Sequence, residues 1–431
     1  MSTAEYLVAL FSDASQSRAQ ILDAVRHTRD DVPDRGSSFF IHLSELCPVA
    51  CLHCMYSSDL NRKTAKDSLS PAELEATIDF INSSRSEKLN ITGGGEPFVK
   101  FPSILRLLER VDVPRVEIVS AGHWGRSPLR ARQLLERMDE ALGRNPHKPD
   151  VLLRLSIDRY HIEAPRPVRL EYYGNIARAW QQLKPAFDLG FRSIQPDRGS
   201  VDRALAAQIG AELQAVDDWN SRILLPDGAS LPITFNVFRL SGKAAELRDD
   251  LLDGTLTIRE YYAPFETGPQ RLTLATTVND AIRGTYAASP GAAVTLNSDG
   301  TFWIFAGTAP DRRLLFDGQT FDEAMAHFFA DPITHLLVDE GIWELAGLVA
   351  SLDPATHDAA VAKNDVASLV EDLLAPDDVR LAVTLLAAQR MLRDGKADID
   401  ERAAVSADLA AAVGAPDLLT ACTAAIAGSR A

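Results

Sequence analysis

Six short apolar runs punctuate the first half of the chain: SFFIHLSEL from Ser38, KLNITGGGE from Lys88, VPRVEIVSAG from Val113, DVLLRLSID from Asp150, FRSIQP from Phe191 and LPITFNVFRL from Leu231. Their length and β-rich content predict strands. Helical stretches lie between several of them, such as SPAELEATIDFINSS and SPLRARQLLERMDEAL. The first has its start written out, with Ser70 as N-cap, Pro71 at the first helical position and Glu73 completing a capping box. Alternating strands and helices imply parallel strands with right-handed crossovers, hence an open α/β sheet or a barrel.

The rhythm differs at both ends. Residues 1–36 predict a short helical extension closing in the DDVPDRGSS loop. After about residue 245, AAVTLNSDGTFWIF predicts a hairpin around Asp299 and Gly300, and TFDEAMAHFFADP a helix. From about 346 the chain is Ala/Leu/Asp-rich and helical, with Gly395 as the stop of DDVRLAVTLLAAQRMLRDG. The expected division is an N-terminal extension 1–36, a core 37–245, a small accessory α+β region 246–345 and a helical C-terminal extension 346–431.

Composition narrows the function. The chain has 431 residues, enough for two or three domains, and 46% are hydrophobic, so a large core is available. The 44 basic residues face 60 acidic ones, a net charge of −16 that argues against binding nucleic acid or anionic lipid. MSTAEYLVALFSDASQSRAQ lacks the basic start of a signal peptide and predicts an amphipathic helix. No run of 18 apolar residues predicts a membrane span. Four cysteines, three of them clustered, fit a protein of the reducing cytoplasm, where such thiols serve metals or catalysis.

The cluster is Cys47, Cys51 and Cys54 in SELCPVACLHCMYSS. A structural zinc site would need a fourth ligand, which His42, His53, His123 or another distant histidine would have to supply. A disulfide would leave one thiol over. An iron–sulfur cubane held by three thiolates would keep one iron open to a substrate or cofactor. One crossover later comes LNITGGGEPF, whose three glycines let a ligand approach the backbone and permit positive φ. It falls at the carboxyl end of a predicted strand, where parallel-strand enzymes bind ligands.

In these two motifs, Cys47-x3-Cys51-x2-Cys54 and Gly93-Gly94-Gly95-Glu96-Pro97, the sequence resembles the radical S-adenosylmethionine (SAM) enzymes over roughly residues 37–245. One departure is His53, where the family often has an aromatic residue before the third cysteine. The resemblance implies a partial (β/α)6 TIM-type barrel, one 4Fe–4S cluster on Cys47, Cys51 and Cys54, and SAM bound at the open iron and along Gly93, Gly94, Gly95 and Glu96. It also implies a 5′-deoxyadenosyl radical that takes hydrogen from an organic substrate, and a reductase such as flavodoxin or ferredoxin as electron donor.

Strand parity adds candidates. Val151, Leu153, Leu155 and Ile157 share one face; Leu152, Arg154, Ser156 and Asp158 share the other, which should point into the barrel. Ser156 and Asp158, and by the same alternation Asn236, become candidate SAM contacts. Tyr160 and His161, just past the strand, become candidate catalytic groups. Ser120, His123, Gln195 and Asp197 lie at other strand ends, where capping is the expected role. Cys422, in LLTACTAAIAG, is expected to be a buried structural thiol.

The stretch from Ala292 resembles the SPASM/twitch accessory region of many radical SAM enzymes, with Trp303 and Phe305 where auxiliary-cluster cysteines would stand. One cluster is therefore expected, acting on a small molecule or amino-acid-like compound in bacterial specialised metabolism. Alternatives are a maturase of ribosomally made peptides (a RiPP enzyme), for which 36 N-terminal residues leave no leader-binding domain, and a non-catalytic metal-binding scaffold.

Overall fold

The computed structural model describes residues 1–28, 32–56, 58, 68–236, 238, 240, 242–251, 258–260, 263, 291–304, 314–316, 318–363 and 366–430. All six apolar runs form strands: β2 (Gly36–His42), β3 (Lys88–Thr92), β4 (Arg115–Ser120), β5 (Asp150–Ser156), β6 (Asp188–Ile194) and β9 (Ser230–Asn236). They pair in that order, each parallel to the next. Helices α3 (Pro71–Ser83), α4 (Phe101–Arg110), α5 (Pro128–Arg144), α7 (Leu170–Leu183) and α8 (Val201–Ile209) lie between them, with the single turn α6 (Arg159–Ile162) after β5. The α3 capping box forms as written: Ser70 Oγ accepts the Glu73 N–H at 3.3 Å and Glu73 Oε2 accepts that of Ser70 at 2.7 Å.

Among the described residues the parallel run is the middle of a mixed eleven-stranded sheet, so the architecture is α/β. On one edge β7 (Glu212–Ala215) and β8 (Asn220–Leu224) add an antiparallel hairpin beside β9. On the other, β10 (Ala292–Leu296) lies parallel to β2, followed by antiparallel β11 (Thr301–Ile304) and β12 (Leu314–Leu315). The hairpin turn sits where Asp299 and Gly300 place it: Gly300 has φ 88°, and Asp299 Oδ1 accepts the Thr301 N–H at 2.9 Å. The described strands of the 246–345 region thus extend the central sheet. Trp303 is on β11; Phe305 and Val237 lie outside the described residues.

The two faces of the parallel run differ as parity requires. Phe39 of β2 meets Phe80 of α3 at 5.8 Å, and Phe191 of β6 meets Tyr173 of α7 at 6.4 Å. Phe191 registers with Leu155, so the Leu153–Leu155 side of β5 is the helix-covered side. Ser156, Arg154, Arg192 and Thr234 occupy the opposite face.

The two chain ends form one layer. Helices α1 (Thr3–Ser12) and α2 (Ala14–Ala24) pack on the helices Asp377–Arg393, Ser406–Val413 and Leu418–Ser429, and β1 (Val25–His27) pairs antiparallel with β13 (Ala397–Ile399). The Asp377–Arg393 helix stops just before Gly395, which takes φ 67°. Cys422 is fully buried in the last helix, and burial pushes its thiol up to about 12. No single helix among the described residues is long and apolar enough to cross a membrane.

Candidate functional site

Strand β2 feeds directly into the cysteine loop, and the pairing of β2 with β3 continues past the strand ends. The carbonyls of Ser44 and Leu46 accept the N–H groups of Gly95 at 2.7 Å and Glu96 at 2.9 Å. The glycine run therefore lies against the start of the loop. A Cβ on Gly95 would stand 2.3 Å from Leu46 O, and one on Gly94 would stand 2.5 Å from Glu45 Oε1. None of the three glycines has a positive φ, so the requirement is close backbone approach and not the permissive conformation expected. Ser58 Oγ donates to Gly94 O. From the other side the chain returns after β9: Lys243 N–H donates to Cys54 O at 3.0 Å, and a Cβ on Gly242, at φ 57°, would stand 2.4 Å from Met55 O.

Gly95→Ala tests this clamp. Its methyl group meets backbone, which cannot rotate away, so Leu46 and Cys47 must shift. The expected loss is about 1–3 kcal/mol, the range for overpacking, read as a lower urea midpoint together with less iron retained per chain. An unchanged midpoint and iron content would refute the close approach.

Cys51 is buried; Cys47 and Cys54 are half-buried. Ala50 turns the loop between the first two with a left-handed φ of 57°. Burial pushes the Cys47 thiol up to about 11, against hydrogen bonds from the Ala50 and Val49 backbone. For Cys51 burial also acts upward, but the imidazoles of His161 and His53 outweigh it and bring the thiol down to about 6. Cys54 Sγ accepts the Ser58 N–H at 3.4 Å.

Asp158, almost fully buried, organises the imidazoles. Its Oδ2 lies 2.8 Å from His161 Nδ1 and 3.1 Å from His53 Nε2, while Oδ1 accepts the His161 backbone N–H at 3.0 Å. Burial opposes its charge, yet the two histidines hold the carboxyl well below the usual range. The same contacts raise both histidines above their ordinary value, again against burial. His53 stacks on Tyr160 at 5.0 Å and on Phe238 at 6.0 Å, and meets His161 edge-on at 5.0 Å. Donor atoms of Cys51, His53 and His161 all lie within 4.8 Å of one another.

The other sequence candidates divide. Asp158, Tyr160 and His161 gather at Cys51 and His53. Ser156 and Asn236 end β5 and β9, and the Ser156 carbonyl accepts the Tyr173 hydroxyl at 2.9 Å. The Glu96 carboxylate is occupied by the chain itself: it accepts Ser120 Oγ at 2.8 Å and the N–H groups of Phe98 at 3.1 Å and Ala121 at 2.8 Å, bracing one loop against the next. Asp197 takes the Arg159 N–H at 2.6 Å and its guanidinium, fixing α6. Gln195 donates to Asp218 O at 2.5 Å. His42 lies 2.9 Å from Asn297 Oδ1, and burial lowers it to about 4. Neither His42 nor His123 joins the Cys51 group. The reading of the sequence missed Gly242 and the close contact of His161 with Cys51; a Gly-Lys pair soon after a strand was the one local signal for the former.

Residues 35–139 match the family model described as a 4Fe-4S single cluster domain. Over 156 residues the chain is 23% identical to the GTP 3′,8-cyclase of Alkaliphilus metalliredigens (strain QYMF), covering 36% of this chain and 44% of the cyclase. The chain thus spans less than half the length of that curated relative. Among solved structures it is similar to native anSMEcpe with bound AdoMet, at 13% identity and TM-score 0.39 over 71% of this chain and 83% of that one. It is also similar to HydG, a maturase of the FeFe-hydrogenase, at 11% identity and TM-score 0.32 over 93% and 91%.

The donor set agrees with the matched domain. Three thiols on one short loop are the soft ligands of an iron–sulfur cluster, one short of the four that would close it. Beside them runs a glycine cradle in which Gly95 admits no side chain without displacing the backbone of Glu45 and Leu46, just before Cys47. The residues present thus fit the 4Fe-4S single cluster domain that residues 35–139 match, with Cys47, Cys51 and Cys54 as the thiols that would hold the cluster.

Proposed function

We propose that the chain is a catalytic radical SAM enzyme acting on a small molecule or amino-acid-like compound, with Cys47, Cys51 and Cys54 as the cluster ligands. The observation that carries the reading is the backbone clamp between the cysteine loop and Gly93–Gly95, both motifs intact at the carboxyl ends of parallel strands. When bound, the cluster and SAM supply a 5′-deoxyadenosyl radical that takes hydrogen from substrate.

The chain's own residues position and enclose that chemistry. The glycine run offers bare backbone to the amino-acid end of SAM, and Glu96 serves by holding the run against Ser120. Ser156, Asp158 and Asn236 stand at the mouth as further SAM contacts. Asp158 orients His53 and His161, leaving Tyr160 and His161 to face the substrate. Six parallel strands in unbroken order support a partial (β/α)6 barrel over 37–245, flanked by the accessory region 246–345 and the end helices 1–36 and 346–431. A flavodoxin or ferredoxin in the cytoplasm is the proposed electron donor.

A second reading, a zinc-binding scaffold, draws on the convergence of Cys51, His53 and His161. One experiment separates them. Protein reconstituted without oxygen is given dithionite and SAM, and iron, zinc, visible absorption and 5′-deoxyadenosine are measured. Roughly four irons per chain with SAM cleavage is the expected result; stoichiometric zinc with no cleavage would establish the scaffold instead. Transfer of deuterium from labelled metabolites or peptides into the deoxyadenosine then divides small-molecule from peptide substrates.

A further inference from the structure

Asp158 sits between two imidazoles, and each ring spends one nitrogen on it. His161 brings Nδ1 to 2.8 Å and His53 brings Nε2 to 3.1 Å, both at the same oxygen, Oδ2. Nε2 of His161 and Nδ1 of His53 are left over, and the latter is buried with no hydrogen-bond partner among the described residues. Both rings stand against one sulfur, since donor atoms of His53, His161 and Cys51 lie within 4.8 Å of one another. Both are also held in place. His53 stacks on Tyr160 and Phe238, and the His161 N–H is fixed by Asp158 Oδ1 at 3.0 Å at the start of α6. Pairing with Asp158 favours the doubly protonated ring, which has an N–H at each nitrogen. The Glu96 carboxylate, which acts on Cys47, is committed to Ser120 and to the N–H groups of Phe98 and Ala121.

We propose that Asp158 holds His53 and His161 as hydrogen-bond donors to the Cys51 sulfur, and that the pair raises the reduction potential of the cluster Cys51 would hold. The inference rests on the preceding reading, in which Cys51 is a cluster ligand. Hydrogen bonds to the sulfurs, and the partners that orient a ligand, are levers by which a protein sets such a potential. The sign follows from charge. Reduction adds one electron, and an N–H beside a ligand sulfur stabilises the more negative form over the less negative one. The two rings thus ease delivery of that electron. His53 is also where this sequence departs from an aromatic residue. A phenyl ring there can keep the stack on Tyr160 and Phe238 but has no N–H to give. In this role Asp158, His53 and His161 are positioning residues that act through Cys51.

The test is a redox titration of the reconstituted protein without SAM, poised with dithionite and mediators and followed by electron paramagnetic resonance of the reduced cluster. His53→Phe is expected to make reduction about tenfold less favourable, a midpoint about 59 mV more negative. His53→Gln restores a neutral N–H donor and should fall between the two. A residue that only braced the loop would lower the iron content and leave the midpoint of the remaining cluster where it was. Asp158→Asn keeps both rings but not the charge that holds them. It should shift the midpoint the same way, and it decides the matter if the Phe variant loads no iron. His147→Phe, on the loop that enters β5 at the opposite end of the strand, should match the unaltered protein. A His53→Phe midpoint that stays put or rises overturns this inference alone. Unaltered protein that assembles no cluster overturns the reading beneath it.

Discussion

Cys51→Ala is expected to abolish both the cluster's visible absorption and 5′-deoxyadenosine formation. Cys51 is the buried thiol of the three, and the two imidazoles that face it favour its thiolate, the form that binds metal. Loss of a partner that merely supports a metal ligand typically costs about 10–100-fold in affinity or activity, so removing a proposed ligand itself should exceed about 100-fold. Cys422→Ala supplies the control, since that thiol lies in the apolar interior of the last helix and should leave both signals unchanged. Cys47→Ala sharpens the result. The convergence of Cys51, His53 and His161 does not include Cys47. Should iron binding and SAM cleavage survive in the Cys47 variant, the three-thiolate assignment fails and the histidine-assisted metal site takes its place.

What the sequence made legible follows from the range of the physics involved. The six parallel strands were readable because each is a local apolar run bounded by turn residues, and α3 announced itself through Ser70, Pro71 and Glu73. The β7–β8 hairpin escaped notice because ELQAVDDWNSRIL lacks a clean period of two and its strands are only four and five residues long. The glycine run stood out in the sequence, but the cause of its glycines did not. Only the register of β2 against β3 reveals that Leu46 and Glu45, rather than a positive φ, exclude side chains there. Asp158, Tyr160 and His161 could be placed at the end of β5 by parity. That His161 turns back onto Cys51 depends on α6, which Asp197 fixes from another strand end. No sequence pattern writes out such a contact between distant segments.

The other large effect lies far from the site. Arg18 of α2, 1% exposed, places its guanidinium 2.6 Å from Asp331, also fully buried, and donates from Nε to Thr384 Oγ1 at 2.8 Å. Asp331 simultaneously caps the Pro332–Asp339 helix through the Ile333 N–H at 2.9 Å. Helix α2 is thus tied by a buried charge to the helices that follow the sheet. Arg18→Met fills a similar volume yet leaves a buried carboxylate without its cation, a situation that costs about 3–5 kcal/mol. The expected outcome is a urea midpoint lowered by that amount at unchanged slope. Adding Asp331→Asn to the variant should recover part of the loss, because the stranded charge goes while the amide oxygen still caps the helix. A loss below about 1 kcal/mol, the scale of an exposed pair, would mean the ends are held by apolar packing and the β1–β13 ladder instead.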